Sequence, residues 1–168
     1  MKNPQLILAS SIILAAGFVS AALAFEGHKA YAPQDIKWGD SPASLPPGAQ
    51  AAVLAGDPQK EGPFAMRLKL PDGYVIPAHT HPKPEIVTVI SGTFRLGMGE
   101  KGDKGDKDKV QILPAGSFFA VSPGMAHYAF ADGETVVQLN SIGPWAINYI
   151  NPQDDPRQGR SAAEDKKD

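Results

Sequence analysis

Two histidines and a glutamate lie close together near the middle of the chain and carry the side chains that bind transition metals. His79 and His81 are one residue apart, and Glu85 follows His81 by four positions. Because side chains alternate between the two faces of an extended strand, both imidazoles are expected to point to the same side. Imidazole and carboxylate together are typical ligands of zinc, iron, copper, nickel or manganese. The sequence therefore predicts a transition-metal site here without choosing the metal.

The residues around these three predict how they are brought together. Pro82 and Pro84 interrupt the chain between the histidines and the glutamate, and proline cannot donate a hydrogen bond to a strand ladder. The β-branched run from Ile86 to Ile90 follows Glu85 at once. The pattern predicts a strand, a proline turn and a second strand, which returns the carboxylate toward the imidazoles.

The two remaining histidines differ in their surroundings. His127 lies in a strand-like segment, Met125 to Phe130, where it shares a face with Ala129. His28 lies in a polar stretch near the start of the chain and is interpreted as a solvated residue rather than a ligand.

Short strands separated by turns account for most of the chain. Residues 64–70 alternate between apolar and polar types, the period-2 pattern of a half-buried strand. Ser91-Gly92 predicts a turn and Asp132-Gly133 a hairpin. The charged run Gly99 to Lys109 lacks the ligand order of a calcium loop and is interpreted as a solvated hairpin tip. Strands are predicted at 50–54, 64–70, 86–90, 93–98, 110–113, 117–121, 125–130, 134–140 and 146–150, in addition to the histidine strand, so the predicted fold is all-β.

Composition excludes several classes of function. The 168 residues have a formal net charge of −2, 42% of them are hydrophobic, and no cysteine is present. A single globular domain with a core fits these values, and a nucleic-acid partner does not. Without cysteine there is no thiolate nucleophile and no disulfide framework, so stability must come from packing and metal binding.

The chain is expected to have four parts. Residues 1–24 have the charged start, apolar centre and Ala-x-Ala ending of an export signal, so the mature chain would begin at Phe25 in the periplasm or outside the cell. The alternative is an uncleaved membrane anchor, because the apolar run approaches the length of a spanning helix. Residues 25–49 are interpreted as an arm anchored by Trp38 and Ile36, residues 50–150 as a β-barrel, and residues 151–168 as a disordered tail.

The motif residues resemble the cupin superfamily. Gly73, His79, His81, Glu85 and Gly92 have every spacing of its first motif. The second motif is recognisable at Gly116, Gly124 and His127, with Ser122 in place of the usual proline and Ala131 in place of a common asparagine. Neither departure removes a metal ligand, and the resemblance covers roughly residues 50–150.

This resemblance implies a fold and a ligand set but no particular reaction. It implies a single-domain antiparallel jelly-roll β-barrel in which His79, His81, Glu85 and His127 converge on one divalent transition metal (Fe, Mn, Zn, Ni or Cu). Cupins of this kind are often homodimers. The superfamily includes dioxygenases, isomerases, lyases, decarboxylases, ligand sensors and storage proteins.

The expected pocket is apolar, with the metal at its base. Residues that share faces with the ligands are its candidate walls, chiefly Val87, Phe94, Leu96, Met98 and Ala129, with Val89 and either Phe118 or Phe119 in addition. Such a pocket favours a small organic, oxygen-bearing ligand, since no Arg or Lys is predicted to face inward. Two functions stay open: a metal-dependent enzyme with dioxygenase-like or Lewis-acid chemistry, or a non-catalytic binding or sensing protein. No catalytic residue beyond the metal ligands is identified.

Overall fold

The computed structural model describes residues 27–99 and 109–158. Within these ranges the chain forms a sheet of nine strands in which every pairing is antiparallel. The strands are β1 (Gly39–Asp40), β2 (Gln50–Ala55), β3 (Gly62–Leu70), β4 (Val75–Thr80), β5 (Glu85–Met98), β6 (Gln111–Pro114), β7 (Phe118–Val121), β8 (His127–Gly143) and β9 (Asn148–Tyr149). The predicted leader, residues 1–24, and most of the charged loop lie outside the described residues. No helix among the described residues is long and apolar enough to cross a membrane.

Two long strands organise the fold. β5 and β8 pair along most of their lengths, from Ile86 opposite Asn140 to Met98 opposite His127. On its other edge β8 pairs with β3 through its second half and with β4 through its first half. β5 pairs in the same way with β7 near its start and with β6 near its end. The two halves of these strands therefore belong to the two facing layers of a jelly roll.

The predicted turn at Ser91-Gly92 and the predicted hairpin at Asp132-Gly133 are both wrong. Each is a bend inside one continuous strand, at the point where the register between β5 and β8 shifts. Gly92 and Gly133 adopt φ values of 77° and 72°, which suit glycine. The local signal for a change of direction was correct, but the chain continues into the second layer instead of reversing.

Inward-facing residues of both layers fill the barrel. In β3, Phe64, Met66, Leu68 and Leu70 are all buried, as the alternation predicts. They join one core cluster with residues of β4, β5 and β8. A smaller cluster of Ala78, Tyr128 and Phe130 lies apart from it.

Segments flanking the barrel pack against it. Ile36 is buried as predicted, whereas Trp38 is only half-buried and lies over the Lys69 ammonium. The deepest anchor of the arm is Leu45, which no local sequence pattern indicates. Tyr149 Oη donates a hydrogen bond to the Ser44 carbonyl at 2.7 Å.

The start of the predicted disordered tail has defined structure. Residues Pro152–Asp154 form a 3₁₀ helix, with Asn151 as its N-cap. The Arg157 guanidinium donates to the Ile147 carbonyl at 3.0 Å and pairs with Asp155. These contacts hold residues 151–158 against the barrel despite their polar composition, and residues 159–168 lie outside the described residues.

Candidate metal centre

Adjacent strands bring the predicted ligands together inside the barrel. His79 on β4 lies directly opposite His127, the first residue of β8. His81 follows the end of β4, and Glu85 begins β5 after the two prolines. All four side chains are buried, with 2% to 7% of each residue exposed. The strand, proline turn and strand predicted for residues 79–90 are therefore present.

The ligand atoms of these residues face one another across short distances. The ring nitrogens of the three histidines lie within 4.8 Å of one another and could hold a metal ion. His79 Nε2 is 3.1 Å from His81 Nε2. The two Glu85 carboxylate oxygens lie 3.3 Å from the Nε2 atoms of His81 and His127.

Backbone carbonyls fix which nitrogen of each histidine faces the centre. Nδ1 of His79 lies 2.7 Å from Pro77 O, Nδ1 of His81 lies 2.7 Å from Ala146 O, and Nδ1 of His127 lies 3.1 Å from Met125 O. A carbonyl oxygen can only accept, so each Nδ1 carries the proton and donates it. Each neutral ring therefore turns the lone pair of Nε2 inward, which is the arrangement of a metal-binding histidine.

This donor set fits a cation better than it fits an empty polar core. Three lone pairs and a carboxylate converge with no hydrogen-bond donor among them, and buried acceptors without a partner are costly. Burial, with the neighbouring His127 and His81, lowers the pKa of His79 to about 3. Burial also lowers the pKa of His81. A proton is therefore a poor substitute for a metal on either ring at neutral pH.

Glu85 supplies the negative charge of the group. Burial raises the pKa of Glu85, but the His127 and His81 side chains beside it lower it by more, so the pKa of Glu85 is lowered overall. The carboxylate is thus ionised at neutral pH, as a metal ligand must be.

An apolar cavity of about 30 Å³ lies against this centre. Of the predicted wall residues, Val87, Phe94 and Ala129 line it, together with His79, Glu85 and His127. Leu96 is buried in the core without lining the cavity, and Met98 is 46% exposed at the end of β5, so neither contributes to this wall. Phe119 lines the cavity, whereas Phe118 faces outward and is 61% exposed. The remaining wall residues are Leu68, Leu70, Ile76, Val137 and Leu139.

The cavity wall contains no lysine or arginine among the described residues. Arg67 instead donates to the Gln138 side chain and Arg95 pairs with Asp132, as their alternation with apolar neighbours predicts. His28 is exposed and separate from the centre.

Two residues near the centre were not identified from the sequence. Trp145 stacks on the His81 ring, with ring centroids 5.5 Å apart and an interplanar angle of 22°. Ala146 supplies the carbonyl that accepts from His81. Both lie more than sixty positions from His81 in the chain, so no local pattern could have linked them to it.

Comparison with known proteins agrees with the fold. Residues 66–143, somewhat less than half of the chain, match the family model of the cupin domain. This match supports the resemblance of the chain to the cupin superfamily. The matched residues run from within β3 to the end of β8 and therefore include all four residues of the centre.

The similar proteins are distant. Oxalate oxidase 1 from Hordeum vulgare is 31% identical over 86 residues, which cover 48% of this chain and 43% of the barley protein. The polyketide cyclase RemF from Streptomyces resistomycificus has a TM-score of 0.62 and 14% identity, over 80% of this chain and 94% of that one. An RmlC-like cupin from Shewanella frigidimarina has a TM-score of 0.52 and 16% identity, over 70% and 92%. The chain thus spans less than half the length of the curated relatives, and the structural likenesses concern the fold.

Proposed function

We propose that this cupin domain holds one divalent transition-metal ion on His79, His81, Glu85 and His127 and acts there on a small oxygen-bearing organic molecule. The observation that carries the proposal is the convergence of three inward-facing Nε2 lone pairs and one carboxylate, with no hydrogen-bond donor among them. Four protein ligands leave one or two coordination positions for a further ligand. A metal in this site would supply Lewis acidity or, if redox-active, reactivity toward dioxygen.

The cavity limits the size and charge of the substrate. A volume of about 30 Å³ is room for about two waters, and so for a ligand of few heavy atoms. Because the described wall offers no cation, charge on the ligand must be balanced by the metal. This favours a small neutral or singly charged chelating molecule.

Similarity to proteins named oxalate oxidases makes oxalate a reasonable first substrate to assay. The apolar wall nevertheless favours monocarboxylates and hydroxyketones over a dianion. Dioxygen uptake by metal-loaded protein, measured with oxalate and with monocarboxylates and hydroxyketones, distinguishes these two classes of substrate. Turnover supports the enzymatic function.

A non-catalytic binding or sensing role is the second candidate. It is favoured by the cavity wall, where the only polar side chains described are the metal ligands His79, Glu85 and His127. If ligands bind the metal-loaded protein and change its spectrum while no substrate is consumed, this role replaces the enzymatic one.

Metal content tests the site itself. We expect one equivalent of metal in protein isolated from its native compartment, measured by elemental analysis. His79→Ala and His127→Ala should lose it, whereas His28→Ala, which changes the exposed histidine, should keep it. Glu85→Gln keeps the shape but removes the charge, so metal affinity should fall by about tenfold or more, equivalent to about 1.4 kcal/mol. A folded wild-type protein without stoichiometric metal would contradict the proposal.

The proposal includes export, which rests on the predicted leader at residues 1–24. Fractionation of the producing cells, followed by N-terminal sequencing, should recover a chain that begins at Phe25. A chain that retains its first residues in the membrane fraction would support the anchor interpretation instead.

A further inference from the structure

One metal ligand is held differently from the other two histidines. His79 and His127 lie on strands that pair with each other, so their backbone positions are fixed by the sheet. His81 lies just beyond β4, where its carbonyl accepts a hydrogen bond from Gly124 N. The orientation of its ring therefore depends on contacts made by the side chain.

Those contacts come from the segment that follows β8. Ala146 O accepts from His81 Nδ1 at 2.7 Å, and the Trp145 ring stacks on the imidazole. The carbonyl selects the nitrogen that faces inward. The indole covers one face of the imidazole and restricts its rotation.

The segment itself is anchored at both ends. Gly143 packs so closely that a Cβ there would lie 2.1 Å from the Lys60 carbonyl oxygen. Trp145 N donates to Pro58 O at 2.7 Å. Ile147 is 1% exposed, and its carbonyl accepts from Arg157. Residues 143–147 thus present Trp145 and Ala146 to His81 from a fixed position.

The indole acts through its ring and not through its N–H group. Among the described residues, Trp145 Nε1 is buried without a hydrogen-bond partner. A buried unpaired donor costs about 1–3 kcal/mol, so nothing in the fold gains from this nitrogen. Trp145 therefore contributes the stacked contact of its ring, and a phenylalanine at this position should be able to make the same contact.

We propose that Trp145 is a positioning residue that holds the metal ligand His81 in its binding orientation. This inference rests on the proposed metal site, since it assigns a partner to one of its ligands. Metal-bound histidines generally depend on outer contacts that orient their rings, and loss of a hydrogen-bond partner typically lowers metal affinity by about 10- to 100-fold.

The test compares aromatic and aliphatic replacements by Mn²⁺ titration calorimetry. Trp145→Leu should weaken Mn²⁺ binding by about tenfold or more, and Trp145→Phe should restore most of the affinity. Trp145→Met serves the same purpose if the leucine variant does not fold. Trp38→Leu is the matched control, because Trp38 contacts Lys69 and not the centre; it should leave the affinity unchanged.

A second measurement separates this inference from the metal proposal. Long-range ¹H–¹⁵N spectra of the metal-free protein report the tautomer and ring motion of His81. Wild type and Trp145→Phe should show a single Nδ1–H tautomer, and the aliphatic variants should show averaging. If wild type binds no Mn²⁺, the proposal of a metal site is contradicted. The spectra still show whether Trp145 holds the His81 ring in position. Two results would overturn the positioning role of Trp145. One is a Trp145→Leu protein that binds Mn²⁺ as tightly as wild type and has an unchanged His81 spectrum. The other is an equal loss of Mn²⁺ affinity in the leucine and phenylalanine variants.

Discussion

Phe119 is the cavity-lining residue that is also partly exposed to solvent. It is the one lining residue that is partly exposed, since the other described members of the wall are buried. Its ring stacks on Phe94 with centroids 5.5 Å apart. We therefore expect a molecule that enters the cavity to pass Phe119.

Phe119→Ala should open this route. We expect azide to bind faster to Co²⁺-loaded Phe119→Ala than to wild type in stopped-flow absorbance, and bulkier anions to bind as well. The cost in stability should be about 1–3 kcal/mol, less than for a fully buried phenylalanine. Phe118→Ala is the control, because that side chain faces outward from the same strand; it should leave both azide binding and stability nearly unchanged. Equal azide kinetics in all three proteins would show that entry occurs elsewhere.

Among individual residues, the sequence predicted the candidate metal ligands better than it predicted the residues of the cavity wall. The ligands can be predicted from the spacing of the histidines and the glutamate, because alternation of side chains within one strand is a local property. Whether Phe118 or Phe119 faces inward depends on the register of β7 against β5, which no local pattern shows. Alternation along the strand predicts that Met98 faces inward with Phe94, but β5 ends at Met98 and leaves this side chain exposed.

Among the secondary-structure elements, the bends of β5 and β8 were the hardest feature to predict from the sequence. A polar residue followed by glycine is an ordinary signal for a turn, and it occurs at both bends, as Ser91-Gly92 and Asp132-Gly133. The distinction between a bend and a turn depends on pairing between strands some forty residues apart. Thr135 makes that pairing specific: it is fully buried, and its hydroxyl accepts from Thr93 N and donates to Thr93 O.

The two bend glycines should respond differently to substitution. At Gly92 an added Cβ would lie 2.5 Å from both Glu134 O and Thr135 Oγ1, whereas at Gly133 it would meet nothing within 4 Å. Both positions have positive φ, so Gly133→Ala should lose about 1 kcal/mol of unfolding free energy from strain alone. Gly92→Ala adds a backbone clash and should lose about 3 kcal/mol. Urea denaturation measures both. Equal losses would mean that Thr135 can move away and that the bend is not packed as described.

For the molecule as a whole, the buried histidines His79 and His81 make stability depend on pH. The lowered pKa of His79, about 3, has to be compared with about 6.5 in the unfolded chain. Between these values the unfolded chain binds more protons than the folded one, so stability falls as the pH is lowered through this range. The lowered pKa of His81 acts in the same direction.

Metal-free protein should therefore lose stability between pH 6.5 and pH 5. His79 alone accounts for a loss of about 2 kcal/mol, since each pH unit costs up to about 1.4 kcal/mol per proton. Urea denaturation with a chelator present measures this loss. His79→Asn should lose about 2 kcal/mol less than wild type over the same interval, and His28→Asn, which changes the exposed histidine, should match wild type. The prediction fails if His79→Asn keeps the full pH dependence, because the buried imidazole would then not be the group that the unfolded chain protonates.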